Sequence, residues 1–133
     1  MLQTAAARYQ QVRISTASKG ELLLALYEGL FRFLRGAQIC FEQDQDARGR
    51  ELTSKSHAII SELQIALDPK VAPELCETLG ALYGFCLDCL RRAAAEADPS
   101  AVADVIRVLT PLRDAWVQAV PEAARQGVCH RAE

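Results

Sequence analysis

The residues Ser15-Thr16-Ala17-Ser18-Lys19-Gly20-Glu21-Leu22-Leu23-Leu24-Ala25-Leu26-Tyr27-Glu28-Gly29 separate a polar segment from a strongly apolar one. Residues 1–17 contain no Asp or Glu and carry Arg8 and Arg13. Ser18 and Glu21 have the S-x-x-E spacing of a capping box, in which the serine oxygen accepts from the N3 amide and the glutamate reaches back to the Ser18 amide. Two donors that a helix start otherwise leaves without partners are thereby satisfied. Downstream, Leu23, Tyr27, Leu30, Leu34, Ala37 and Phe41 recur by fours and threes, and Leu22, Leu26, Phe33 and Cys40 widen the stripe. The pattern predicts a helix over about 19–43 that either lies at the centre of a fold or awaits an apolar partner.

Three more segments carry the same rhythm. Gln43-Asp44-Gln45-Asp46 is a polar break with Asp46 as the expected N-cap. A second helix over about 47–67 follows, with Leu52, Ser56, Ile59, Leu63 and Ala66 on its seam and Ile60 and Leu67 beside it. Asp68-Pro69-Lys70 ends it, because proline disfavours helical geometry in the residue before it. Pro73 is placed to open a third helix over about 72–96. Its seam is Leu75, Leu79, Leu82, Cys86, Cys89 and Ala93, flanked by Cys76, Tyr83, Leu87 and Leu90. Asp98-Pro99 reads as an N-cap followed by proline at the first helical position. The fourth helix, about 99–120, carries Val102, Val105, Leu109, Leu112, Trp116 and Ala119.

Four seams of one period joined by short polar connections predict an all-α fold, an antiparallel up-down four-helix bundle over residues 18–120. An N-terminal arm (1–17) precedes it, and residues 121–133 are expected to form a flexible, disordered tail. Pro111 falls inside the fourth helix and removes the hydrogen bond to the Arg107 carbonyl, a loss of about 3 kcal/mol for a straight helix. The seam keeps its register across the proline, which favours a kink there over a restart with Thr110 as N-cap.

The 133 residues suit one domain able to bury a core without metal or disulfide. A net charge of −2 gives no footing for an electrostatic nucleic-acid binder. The apolar run from Leu22 is broken by Glu28, Arg32 and Arg35, so neither a secretory leader nor a membrane span is expected. Five cysteines, an odd number, point to free thiols in a reducing, cytoplasmic compartment.

Enzymatic chemistry finds no support. A di-metal carboxylate site needs Glu-x-x-His pairs, and neither His57 nor His130 has a glutamate three residues before it. Cys86-Leu87-Asp88-Cys89 is followed by Leu90 rather than the histidine of a covalent haem site. As half a zinc site its only complement is Cys129-His130. Both cysteines are expected to pack as small core residues instead. No phosphate loop or nucleophile triad can be assembled. The chain therefore reads as a binder with no enzyme activity, metal or cofactor.

The apolar residues outside the seams are Leu22, Leu26, Phe31, Phe33, Ile39, Ile60, Ile65, Leu87 and Val108. They either pack under loops or in a dimer interface, or form a groove for amphipathic helices of a partner. Tyr9, Val12 and Ile14 are the apolar points of the arm, which is either a frayed terminus or a strap that inserts Tyr9 into such a groove.

The opening stretch, with Tyr9-Gln10-Gln11-Val12 before it, resembles the flagellar secretion chaperones, the FliS family. The family's T-A-x-x-x-E-L-x-x-x-L-Y-x-G pattern is matched by Thr16-Ala17, Glu21-Leu22, Leu26-Tyr27 and Gly29. Lys55 with Ile59-Ile60-x-Glu62-Leu63, then Leu82-Tyr83-x-Phe85, then Leu112-Arg113-Asp114-Ala115-Trp116 are similar to later blocks in the same order. The resemblance spans roughly residues 8–119, four ordered blocks being specific where one alone is weak.

That resemblance implies a cytoplasmic, non-enzymatic export chaperone. Its client would be flagellin, whose disordered C-terminal polymerisation segment it masks against premature assembly and delivers to the flagellar type III export gate. On this basis Tyr9, Val12 and Ile14 are expected to be a displaceable cover. Ile60, Leu63, Leu67, Leu82, Tyr83 and Cys86 are expected to line the groove beneath it. A further flagellar regulator and a homodimer stay open as partners. The competing expectation is a helical adaptor or dimerisation bundle for another partner.

Overall fold

The computed structural model describes the backbone of residues 19–132 and the side chains of residues 19–120. Tyr9, Val12, Ile14 and Ser18 lie outside the described residues. Four helices follow one another: α1 Lys19–Glu42, α2 Asp46–Ile65, α3 Pro73–Glu96 and α4 Pro99–Ala132. Among the described residues there is no strand. By compactness the chain divides into two units, one of Glu28–Pro111 and one of the residues up to Tyr27 together with those from Leu112.

The Glu28–Pro111 unit holds most of the core. α1 contributes Leu30, Phe31, Leu34, Ala37, Cys40 and Phe41. α2 is much less apolar, and its buried face is Gly49, Leu52, Thr53, Ser56, Ile60 and Leu63. The small residues on that face set how closely α1 and α2 pack. A Cβ at Gly49 would stand 2.5 Å from Cε1 of Phe41, and one at Gly36 would stand 3.0 Å from Cδ1 of Leu52. The pairs 36–52 and 41–49 fix an antiparallel register. The two buried hydroxyls bring no unmet polarity, because each donates to the backbone one turn earlier. Thr53 Oγ1 donates to the Gly49 carbonyl at 2.7 Å and Ser56 Oγ to the Leu52 carbonyl at 2.9 Å.

The register of α2 on α3 is fixed from both ends. Gln64 Nε2 donates to the Gly80 carbonyl at 3.1 Å, and Arg50 Nε to the Ala94 carbonyl at 2.9 Å. Between them α3 buries Leu79, Tyr83, Cys86, Leu87, Cys89, Leu90 and Ala93. α4 returns antiparallel with Ala101, Val102, Val105 and Leu109 inside. Arg92 on α3 reaches Asp104 on α4 at 3.3 Å, and Asp104 also takes Arg107 at 2.8 Å.

The turns follow from local chemistry. Ala97 ends α3 in the left-handed region at φ 50°, and Asp98 then caps α4. The Ser100 amide donates to Asp98 Oδ1 at 2.9 Å and the Ser100 hydroxyl at 2.7 Å. The Ser100 hydroxyl, ahead of its amide, holds the Asp98 carboxyl below the ordinary carboxylate range. Asp46 differs from the sequence expectation: it is the first helical residue, and Gln45 occupies the N-cap position without a side-chain bond. The cause is the left-handed Asp44 (φ 59°), which lets the Gln45 amide return to the Cys40 carbonyl at 2.8 Å.

In the other unit the start of α1 and the later part of α4 run against each other. A Cβ at Gly20 would stand 2.9 Å from both methyls of Val120. Tyr27 and Val120 are buried here, while Leu23, Leu24, Leu26, Leu112 and Trp116 are half-buried.

α4 is one helix of 34 residues through Pro111 and Pro121. The helix does not restart at Thr110, whose hydroxyl instead donates to the Ile106 carbonyl at 2.6 Å. The backbone assigned to α4 runs on to Ala132. Glu122-Ala123-Ala124-Arg125-Gln126 are strong helix formers and extend the turn that Pro121 interrupts.

Two glycine substitutions of identical chemistry should act with opposite signs. A Cβ at Gly29 meets only Arg32 Nη2 at 3.7 Å, so Gly29→Ala is expected to stabilise by about 0.5–1 kcal/mol. Gly49→Ala drives a methyl into the buried Phe41 ring and is expected to destabilise by about 1 kcal/mol or more net of the propensity gain. Denaturant midpoints of the two variants check this, and an unchanged or raised midpoint for Gly49→Ala would refute the close-approach account.

Candidate functional site

The thiols can be settled first. Cys40, Cys76, Cys86 and Cys89 are free. Cys86 and Cys89 are core residues, as their place on the α3 seam predicts. Burial, with Cys89 nearby as the lesser cause, pushes the Cys86 thiol up to about 12. Burial also raises Cys89, against the opposing pull of Arg92. A thiol in that state is neither a good nucleophile nor a ready metal ligand. Among the described residues no group of His, Cys, Asp and Glu is placed to hold a metal ion. Nor is any described helix long and apolar enough to cross a membrane.

The expected groove residues fall into two classes. Ile60, Leu63, Tyr83 and Cys86 are buried inside the Glu28–Pro111 unit, so they support a surface from beneath rather than line it. Leu67 and Leu82 are half-buried. Leu67 passes α3 at Gly80, where a Cβ would meet its Cδ1 at 3.8 Å. Glu21, the second half of the expected capping box, is exposed on the first turn of α1. The supposed apolar excess divides likewise. Phe31, Ile60 and Leu87 are core, Leu26, Phe33 and Val108 are half-buried, and Leu22, Ile39 and Ile65 are exposed. The ammonium of Lys55 covers the Phe33 ring at 5.5 Å, which takes that ring out of any apolar surface.

The apolar surface itself lies around the α2–α3 connection. Ile65 and Val71 are 77% and 80% exposed, and Leu75 is 51% exposed one turn into α3. A cavity of about 340 Å³ opens beside them, lined by Ala72, Pro73, Glu74 and Leu75. Phe85, 49% exposed, lies farther along α3. Ile65, Val71 and Leu75 are thus large apolar side chains exposed within ten residues of one another in sequence. Val71 escapes periodicity because it stands in a turn, and Leu75 reads as core because its seam continues past the end of the core. The available signal was an apolar residue on each side of Asp68-Pro69-Lys70, a connection with little of its own to pack against.

The chain is thus an all-α helical bundle with exposed apolar side chains at its α2–α3 connection. A model of the family described as Flagellar protein FliS matches residues 1–123, and the chain belongs to that family. It is 38% identical over 112 residues to the flagellar secretion chaperone FliS of Bacillus subtilis, covering 84% of this chain and 83% of that one. It is 30% identical over 109 residues to the Escherichia coli protein of the same name, covering 80% and 79%. A crystal structure of a bacterial flagellar chaperone has the same fold, with a TM-score of 0.73 at 22% identity over 92% of this chain and 99% of that one.

Thiol accessibility provides a check. In a Cys129→Ser background, Cys76 should react with a thiol reagent in the native protein at neutral pH, whereas Cys86 and Cys89 should react only on unfolding. Fast modification of Cys86 in the folded chain would contradict the burial described.

Proposed function

We propose that this chain is a non-enzymatic, cytoplasmic chaperone that binds the C-terminal polymerisation segment of flagellin, prevents premature assembly and presents it to the flagellar type III export apparatus. The observation that carries this reading is the exposure of Ile65, Val71 and Leu75 around one helix connection, on a chain of the FliS family. A disordered amphipathic segment would fold as helices against it and bury both apolar faces together. Ordering the client costs about 2–5 kcal/mol of the gross interaction, which moderates affinity and makes release at the gate feasible.

The docking surface we infer uses Leu67 and Leu82 with Ile65, Val71, Leu75 and Phe85, supported from below by Ile60, Leu63, Tyr83 and Cys86. Tyr9, Val12 and Ile14 act as a cover that the client displaces.

Titration of the purified protein with a peptide of the flagellin C-terminus should give saturable binding. No binding at about 50 µM would count heavily against the proposal. Leu75→Asp is expected to weaken that binding about tenfold while leaving the unfolding midpoint near its starting value. Ile60→Ala should instead cost about 2–5 kcal/mol of stability. Deleting residues 1–14 should change the client isotherm, and an identical isotherm would sink the cover.

A further inference from the structure

A second surface lies between α2 and α3, on the part of the bundle where Arg50 meets Ala94. A cavity of about 190 Å³ opens there. Its floor is Leu90, Thr53 and Ala94, and around it stand Arg50, Arg91, His57 and Ser54. Leu90 and Thr53 are buried, and the Thr53 hydroxyl is already used on the Gly49 carbonyl. The hydrocarbon a ligand can reach is therefore Ala94 and the arginine stems, and the rim offers hydrogen-bond donors.

The rim cations are only partly used. Arg50 Nε is held by the Ala94 carbonyl at 2.9 Å. α3 has no basic residue in its last turn, so Arg50 supplies the positive charge that a helix C-terminus favours. That duty occupies Nε and leaves the two terminal nitrogens without a partner among the described residues. Arg91 Nη1 meets Asp88 at 2.6 Å, an exposed pair on one helix that competes weakly with a better-placed carboxylate. His57 Nδ1 lies 3.5 Å from Ser61 Oγ. Glu51, next to Arg50 in sequence, is engaged by Arg48 at 2.9 Å and Lys55 at 3.7 Å.

We propose that this cavity is a docking point for a carboxylate borne on a helical segment of an acidic partner, separate from the apolar surface at the α2–α3 connection. The methylenes of a glutamate lie on Ala94 and the aliphatic stems of Arg50 and Arg91, and its carboxylate meets the Arg50 terminal nitrogens, with Arg91 and Ser54 as further donors. A guanidinium whose Nε is already anchored presents its remaining donors with less ordering to be lost on binding. The apolar floor and open mouth suit a side chain that arrives on a backbone better than a free inorganic anion. The inference does not rest on flagellin being the client.

The test is a nuclear magnetic resonance titration of the isotopically labelled full chain at fixed ionic strength. The probe is an amphipathic peptide about 20 residues long, enough to hold a helix, with glutamates on its polar face. A glutamine counterpart and inorganic phosphate are the comparison arms. The expected result is saturable shifts centred on Arg50, Ser54, His57 and Arg91, with binding at least about fivefold tighter for the glutamate peptide than for its glutamine counterpart. Arg50→Gln removes the bond to Ala94 and is controlled by its unfolding midpoint. Arg91→Gln leaves that bond intact and should still weaken the glutamate peptide. Equal binding of the two peptides, shifts located elsewhere, or equal saturation by phosphate alone would each overturn the proposal.

Discussion

Phe41 and Gly49 meet so closely that a Cβ at position 49 would stand 2.5 Å from the ring, and the packing of α2 on α1 depends on that approach. α2 is poor in large apolar residues, and a helix of that kind cannot hold its place by bulk. Its buried face carries the small Gly49, Thr53 and Ser56, and the space that a Cβ would take at Gly49 is filled by the Phe41 ring of α1. Once α2 is drawn in, its opposite edge falls within reach of α3, where Arg50 and Gln64 each donate to a backbone carbonyl. Those two bonds set the register that buries Leu79, Tyr83, Cys86 and Leu90.

Much of this was legible in the sequence, because period and punctuation are local properties. The four stripes, the proline-marked starts and the Asp98 cap appear where the pattern places them. The distinction between core and docking surface was the least legible part. Ile60 and Ile65 are both isoleucines on α2, yet one is wholly buried and the other is 77% exposed. Nothing local separates them. The difference is how far the neighbouring helices extend beside each, which is a tertiary fact. Burial of Cys86 follows from its place on the α3 seam, and Tyr83 is buried beside it.

The division between inside and outside bears on how a chaperone of this family would handle a client. Residues that hold the bundle together cannot also be the ones offered to a partner without opening it. In the reading proposed above, the residues offered are the exposed Ile65, Val71 and Leu75, which the core does not bury. The polar cavity at Arg50 and Arg91 adds a surface of different chemistry to the same pair of helices. Apolar contact would supply affinity at one place and charge would supply selectivity at the other.

The central claim is that the client is received on a preformed exterior rather than by opening the core. Hydrogen exchange at the backbone amides of Ile60, Leu63, Tyr83 and Cys86, with and without a saturating flagellin C-terminal peptide, tests it most directly. The account predicts that exchange at these amides is unchanged or slower when the peptide is bound, with new protection around residues 65–75. Faster exchange at the core amides on binding would contradict it.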